Sequence, residues 1–377
     1  MDIPSEIKHL VFSGGGMRGL AYAGVLDALR GRGVDLWSHA RPLQSVCGSS
    51  IGALFAMLVA ARMSVEHMLL EVRRFHVTQY LDLDPYLLFN QRGIDNGLTL
   101  RRYVQGLLLR LMGNAHISMH EFYLATRVRL VVPITDLEEG KTIYLDHARA
   151  PALPVAEALA ISMSLPLVFT PSIFEGHQCV DGGLMDNFPL SLFPPATTLG
   201  VRALWNSSGS LDSFSQYLSR VVYCVFASCE NKDVGTYATI DVDVGNVKTV
   251  EFHLDEEQIE HLLQCGHQAV RAAAAAARAK EGGGASPACT DPPDGPLQPH
   301  TPAVRTSVRA MLQHVCYQVA LRARALPAAA PVPAGAAAPH AHAHAHAHAH
   351  HAPAPAHFSH PLGVQADQVG QQHHHQE

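Results

Sequence analysis

The stretch HLVFSGGGMRGLAYAGVL, His9–Leu26, constrains this chain more than any other. An apolar run meets three glycines, Gly14, Gly15 and Gly16, and a small-residue helical pattern follows. Glycines let a backbone come close to a ligand, and a helix start favours negative charge. The stretch therefore reads as an anion cradle. Gly14, Gly16 and Gly19 also fit G-x-G-x-x-G, the dinucleotide fingerprint. That fingerprint needs an acid at the end of the second strand to hold the ribose. The second strand here, LQSVC, ends in GSSIG, so the dinucleotide reading is set aside.

GSSIG, Gly48–Gly52, is G-x-S-x-G between a predicted strand and a predicted helix. That is the context of a nucleophile elbow, a sharp turn that presents a serine hydroxyl at a helix N-terminus. Ser50 is the candidate nucleophile. Gly48 and Gly52 flank it because side chains there would crowd the turn. Attack on an ester also needs backbone N–H groups aimed at the oxyanion that forms, and GGGMRG supplies such a loop. A methyl group at Gly15 is expected to displace it. Arg18 either adds charge at the anion or braces the loop.

The base comes from HQCVDGGLMDNFPL. Asp181 ends a predicted strand, and Gly182 and Gly183 follow. Asp-Gly-Gly alone is an ordinary tight turn. Beside a glycine loop and a serine elbow, Asp181 becomes the candidate general base. A carboxylate is a weak base for a hydroxyl, so desolvation and positioning must strengthen it.

Strand-like and helix-like segments alternate up to about residue 275, which predicts an α/β domain with a mostly parallel sheet. Strands are expected at His9–Phe12, Leu43–Cys47, Val128–Ile134 and Lys141–Leu145, the last two joined by a hairpin at TDLEEG. Phe174–Val180 reads as strand, turn, strand. Helices are expected at Arg18–Arg30, Ser50–Arg62 and Val155–Met163. Residues 276–330 are rich in Gly, Ala, Ser and Pro, as in a linker, with helical spacing over Thr306–Ala325. Residues 331–377 are mostly Ala, Pro and His, a composition that cannot offset its ordering entropy by burial. Its histidine repeat could bind transition metals weakly.

The net charge of −6 is mild, and its basic residues are scattered, so nucleic acid is not an expected partner. MDIPSEIKHL does not read as a secretory signal. Ile51–Ala61, the longest apolar stretch, is too short to span a bilayer. Seven cysteines without a C-x-x-C pair suggest free thiols in a reducing, cytoplasmic compartment. Asn206-Ser207-Ser208 reads as a polar loop. Asp82/Asp84 and Asp241/Asp243 lack the spacing of a calcium loop, so no metal or cofactor is expected.

GGGMRG, GSSIG and DGG, in that order, resemble the patatin-like phospholipases. The likeness runs from about Leu10 to Pro189, within a motif-bearing core of 9–195, and more weakly to about Val270. RGIDNG (Arg92–Gly97), TDLEEGK, AISMSLPLVFTP (Ala160–Pro171), Asn187 and Pro189 extend it. The resemblance implies a three-layer α/β/α fold and hydrolysis of glycerolipid acyl esters, of phospholipase A type. It implies a Ser50–Asp181 dyad, with Gly14, Gly15, Gly16 and Arg18 on the oxyanion side. The last motif is D-G-G where many relatives have D-G-A. A lipid substrate implies transient contact with a membrane or lipid-droplet surface. Two alternatives remain open. One is a non-catalytic lipid-binding protein of the same fold. The other is a Ser–Asp–His hydrolase using His253, His261 or His267, although only one strand precedes the elbow strand here, fewer than that fold requires.

Overall fold

The computed structural model describes residues 3–282, apart from residues 5, 39–41, 76, 83, 85–86, 246, 248–253 and most of 205–233. They belong to one compact unit, Met1–Cys289. The expected helix at Thr306–Ala325, nearly all of the linker and the histidine-rich tail lie outside the described residues. So do His253 and Asn206.

The strands in chain order are β1 (His9–Phe12), β2 (Ser45–Gly48), β3 (Gly93–Asp95), β4 (Arg129–Asp136), β5 (Lys141–Leu145), β6 (Leu167–Phe169), β7 (Ser172–Phe174), β8 (His177–Asp181), β9 (Thr198–Ala203) and β10 (Ala238–Val242). The helices are α1 (Ala21–Gly31), α2 (Ile51–Ala60), α3 (Val65–Arg74), α4 (Leu87–Gln91), α5 (Leu98–Met112), α6 (Met119–Thr126), α7 (Val155–Ser162) and α8 (Glu256–Gly282).

The main sheet runs β10-β9-β1-β2-β4-β8-β7, with β5 also on β4. The five strands from β10 to β4 are parallel. β5, β8 and β7 extend the sheet by antiparallel pairing. β3 and β6 form a separate two-stranded sheet. The fold is thus mixed α/β, with a central sheet flanked by helices.

Central parallel strands are covered on both faces, so they read as continuous apolar runs. Leu10 and Phe12 of β1, Val46 of β2 and Leu130 and Val132 of β4 join the helices in the large core. Val11, Cys47 and Val131 point the other way, onto Phe188, Leu190 and Phe193. All ten residues of α2 are buried, as expected of a helix that is apolar all round. Cys47, Cys179, Cys224 and Cys265 are free thiols.

Several boundaries differ from expectation by a residue or more, two of them for a visible reason. The first helix opens with a 3₁₀ turn, Gly16–Leu20, and α1 begins only at Ala21. The Arg18 amide donates to the Gly15 carbonyl, three residues back, which tightens the turn. β2 starts two residues late, at Ser45, where pairing with His9 begins. The TDLEEG turn forms as expected. Asp136 Oδ1 accepts from the Glu138 and Glu139 amides, and Gly140 takes φ 62°.

This topology gathers the site. β1 and β2 run parallel, so the Gly14 loop and Ser50 leave the sheet at the same edge. β8 runs against β4 and brings Asp181 opposite Ile134, beyond the Cys47–Val131 pair where the pairing of β2 with β4 ends. Behind them α1 and α8 touch backbone to backbone. A Cβ on Gly24 would stand 2.1 Å from the Leu263 carbonyl oxygen, and one on Gly266 would stand 2.3 Å from that of Ala21. Gly266→Ala must therefore push these helices apart. A loss of about 1–3 kcal/mol is expected, the usual cost of overpacking. Urea denaturation should show it as a lower midpoint.

Candidate active site

Ser50 is the second of the two residues between β2 and α2 and has φ 55° and ψ −126°. A non-glycine residue at positive φ costs on the order of 1–3 kcal/mol and persists only where its surroundings enforce it. The flanking glycines make the turn possible. A Cβ on Gly48 would lie 2.1 Å from the Gly52 carbonyl oxygen, and one on Gly52 would lie 2.6 Å from that of Ser13. Gly19 sits as tightly on Ile51, whose Cγ2 would be 2.4 Å from an added Cβ. The loop, the elbow and β1 are thus in contact at the backbone.

The glycine loop divides its amides. Gly14 donates to the Asn187 carbonyl at 3.1 Å. The amides of Gly15 and Gly16 make no hydrogen bond among the described residues; Gly15 precedes the 3₁₀ turn and Gly16 opens it. A Cβ on Gly14 would strike Asn187 Oδ1 at 2.3 Å. At Gly15, by contrast, the nearest atom would be Ala203 Cβ at 3.5 Å, an ordinary contact. The expected crowding belongs to Gly14, because Asn187 packs there.

Arg18 is buried, and its guanidinium donates to the carbonyls of Val247 at 2.8 Å and Leu204 at 3.3 Å. These bonds tie the loop to the segments that follow β9 and β10. Tyr22 adds a second tie. Its hydroxyl donates to the Ser13 carbonyl at 2.9 Å and accepts from the Ala203 amide at 3.2 Å.

Asp181 is fully buried at the end of β8. Its amide donates to the Ser164 carbonyl at 3.0 Å, and its carbonyl accepts from Thr135 Oγ1 at 2.9 Å. Oδ1 accepts from the Gly183 amide at 2.8 Å. Oδ2 is buried without a hydrogen bond of normal geometry. Burial raises the carboxyl's pKa to about 7. The Ser50 hydroxyl beside it and the Gly183 amide work the other way, favouring the charged form. Gly182 must be glycine here, since a Cβ would lie 2.3 Å from the Pro133 carbonyl oxygen.

The structure thus brings Ser50, Asp181 and the Gly14–Gly16 loop together. His261 and His267 stand elsewhere, on α8. His261 Nε2 lies 3.5 Å from Cys265 Sγ, and His267 Nε2 lies 3.2 Å from Asp27 Oδ2 of α1. Among the described residues, no histidine contributes to the shift of Asp181.

Ser162 is a contact that sequence reasoning missed. Its Oγ, 112 residues along the chain, accepts the Ser50 amide at 3.1 Å. AISMSLPLVFTP marked the segment without marking the atom. Among the described residues, Asp136, Glu138 and His177 bring three potential metal ligands together. The hairpin itself engages all three. Asp136 Oδ2 meets His177 Nδ1 at 2.8 Å, and Glu138 Oε2 accepts the Gln178 amide at 2.8 Å. Asp241 pairs with Arg202. No helix among the described residues is long and apolar enough to cross a membrane.

Residues 10–194 match the family model described as patatin-like phospholipase, and the chain carries a domain of that family. Protein R571 of Acanthamoeba polyphaga mimivirus is 24% identical over 288 residues, which are 71% of this chain and 93% of that protein. The probable lipid hydrolase 463L of Invertebrate iridescent virus 6 is 20% identical, over 50% of this chain and 64% of that one. Patatin-like phospholipase domain-containing protein 5 of Mus musculus is 30% identical, over 57% of this chain and 45% of that one. The chain therefore spans most of the first relative and less than two thirds of the other two.

The buried carboxyl has a consequence for stability. Asp181 binds its proton more tightly folded than unfolded, so stability falls as pH rises from about 4 through about 7. Asp181→Asn keeps the Gly183 bond and removes the charge. It should melt at a higher temperature than wild type at pH 8, and the gap should close as pH falls toward 4. Thermal melts across that range check it.

Proposed function

We propose that this chain is a lipid acyl hydrolase of phospholipase A type, working through a Ser50–Asp181 dyad. The family match and the lipid hydrolase among its relatives support lipid ester hydrolysis. The observation that carries the dyad is the fully buried Asp181 carboxyl against the Ser50 hydroxyl, with its pKa lifted to about 7. A base with that pKa is poised to take a proton near neutrality.

The steps follow from the atoms present. Asp181 accepts the Ser50 proton as Oγ attacks the acyl carbonyl carbon. The amides of Gly15 and Gly16 receive the oxyanion of the tetrahedral intermediate, at the positive start of the helical turn. Gly14 holds the loop through Asn187, and Arg18 braces it rather than touching the anion. The intermediate collapses to an acyl–Ser50 ester, and Asp181 returns the proton to the departing alcohol oxygen. A water then donates its proton to Asp181 and attacks the ester, releasing the fatty acid and restoring Ser50. The lipid substrate brings the protein transiently to a membrane or lipid-droplet surface.

Ser50→Ala and Asp181→Asn should each abolish release of fatty acid from phospholipid vesicles, while His261→Ala and His267→Ala retain most of it. Losses on the order of 10⁴-fold or more are typical when a nucleophile or its partner is removed. Chromatography of released fatty acids checks this. An active Asp181→Asn protein, or an inactive but folded histidine variant, would overturn the dyad.

A further inference from the structure

The peptide that joins Ser49 to Ser50 is gripped at both ends. The Ser49 carbonyl accepts the Gly52 amide at 2.8 Å. The Ser50 amide donates to Ser162 Oγ at 3.1 Å. Ser162 is the last residue of α7 and is fully buried. Two residues further on, the Ser164 carbonyl accepts the Asp181 amide, and Ser164 Oγ closes the end of α7 onto the Ala160 carbonyl at 2.7 Å. One short segment therefore touches the backbone of both dyad residues.

The grip matters because Ser50 has φ 55°. Side chains leave that region readily when nothing enforces it. Rotation of the Ser49–Ser50 peptide about the Ser50 N–Cα bond is a change in φ, and it changes where Oγ lies relative to the peptides around it. The carbonyl end is held within the elbow itself, and the amide end is held only by a side chain from another helix.

We propose that Ser162 is a positioning residue for the nucleophile. By accepting the Ser50 amide, its hydroxyl oxygen holds Ser50 in the strained conformation that keeps Oγ against Asp181. The same bond occupies the Ser50 amide and leaves oxyanion binding to the glycine loop. This inference rests on the Ser–Asp reading above.

The test compares Ser162→Ala and Ser162→Cys with Thr126→Ala. Thr126 also has a buried hydroxyl, which donates to the Phe122 carbonyl on α6 at 2.8 Å, outside the site. Two readouts apply per folded molecule: kcat and KM on a soluble acyl ester, and the rate at which a fluorophosphonate labels Ser50, located by mass spectrometry. Ser162→Ala should lose kcat by roughly 10- to 100-fold, the scale of a misplaced reacting atom, with KM unchanged. Labelling should slow by the same factor. Ser162→Cys should fall between it and wild type, because sulfur accepts hydrogen bonds weakly. Thr126→Ala should keep the wild-type kcat. Wild-type kcat and labelling in Ser162→Ala would overturn the proposal, as would a loss no larger than that of Thr126→Ala or one confined to KM. If Ser162→Ala does not fold, slowed labelling of Ser162→Cys supports the proposal and wild-type labelling overturns it. Labelling of wild type at a serine other than Ser50 would overturn the dyad reading and this proposal with it.

Discussion

A carboxyl group with no exposed surface resists ionisation. Asp181 is such a group, and the arrangement around it answers that resistance in part. Burial lifts its pKa, while the Gly183 amide and the Ser50 hydroxyl favour the charged form. Its peptide is fixed on both sides, by Ser164 and by Thr135. In the proposed dyad, a group so placed exchanges its proton with the Ser50 hydroxyl. Holding it there costs stability above neutral pH, which the large apolar core must offset.

The rest of the site is a problem of close approach. Three chain reversals meet at one edge of the sheet: the glycine loop after β1, the elbow after β2 and the turn after β8. Each contains a position where an added methyl would strike a neighbour. Gly14 lies on Asn187, Gly52 on β1 and its following residue, and Gly182 on Pro133. Backbones at these distances leave little freedom, which suits the oxyanion role proposed for the loop amides. Arg18 and Tyr22 lock the loop from behind through carbonyl and amide contacts to segments far along the chain.

Much of this was legible in the sequence, and for identifiable reasons. Glycines at fixed spacing between a strand and a helix announce close approach, so Gly48, Gly52 and Gly182 could be read locally. The parallel strands announced themselves as apolar runs. What escaped reading was the set of contacts by which distant segments hold these residues in place. Nothing in AISMSLP says that the first of its two serines, Ser162, will accept the Ser50 amide. Nothing near Arg18 says that its partners are the carbonyls of Leu204 and Val247. The crowding expected at Gly15 belongs to Gly14 because Asn187 packs there. The late start of α1 has a local cause, a three-residue hydrogen bond after the glycines, which periodicity does not register.

The proposed dyad requires one proton to pass between Ser50 and Asp181. The most direct measurement is the pH dependence of the rate at which a fluorophosphonate labels Ser50, for wild type and for Asp181→Asn. The wild-type rate should rise with a single midpoint near 7 and level off above it, as Asp181 ionises. The Asp181→Asn rate should be far lower and should show no such midpoint. A wild-type rate that is flat across this range, or a midpoint that persists in Asp181→Asn, would contradict the assignment of Asp181 as the base.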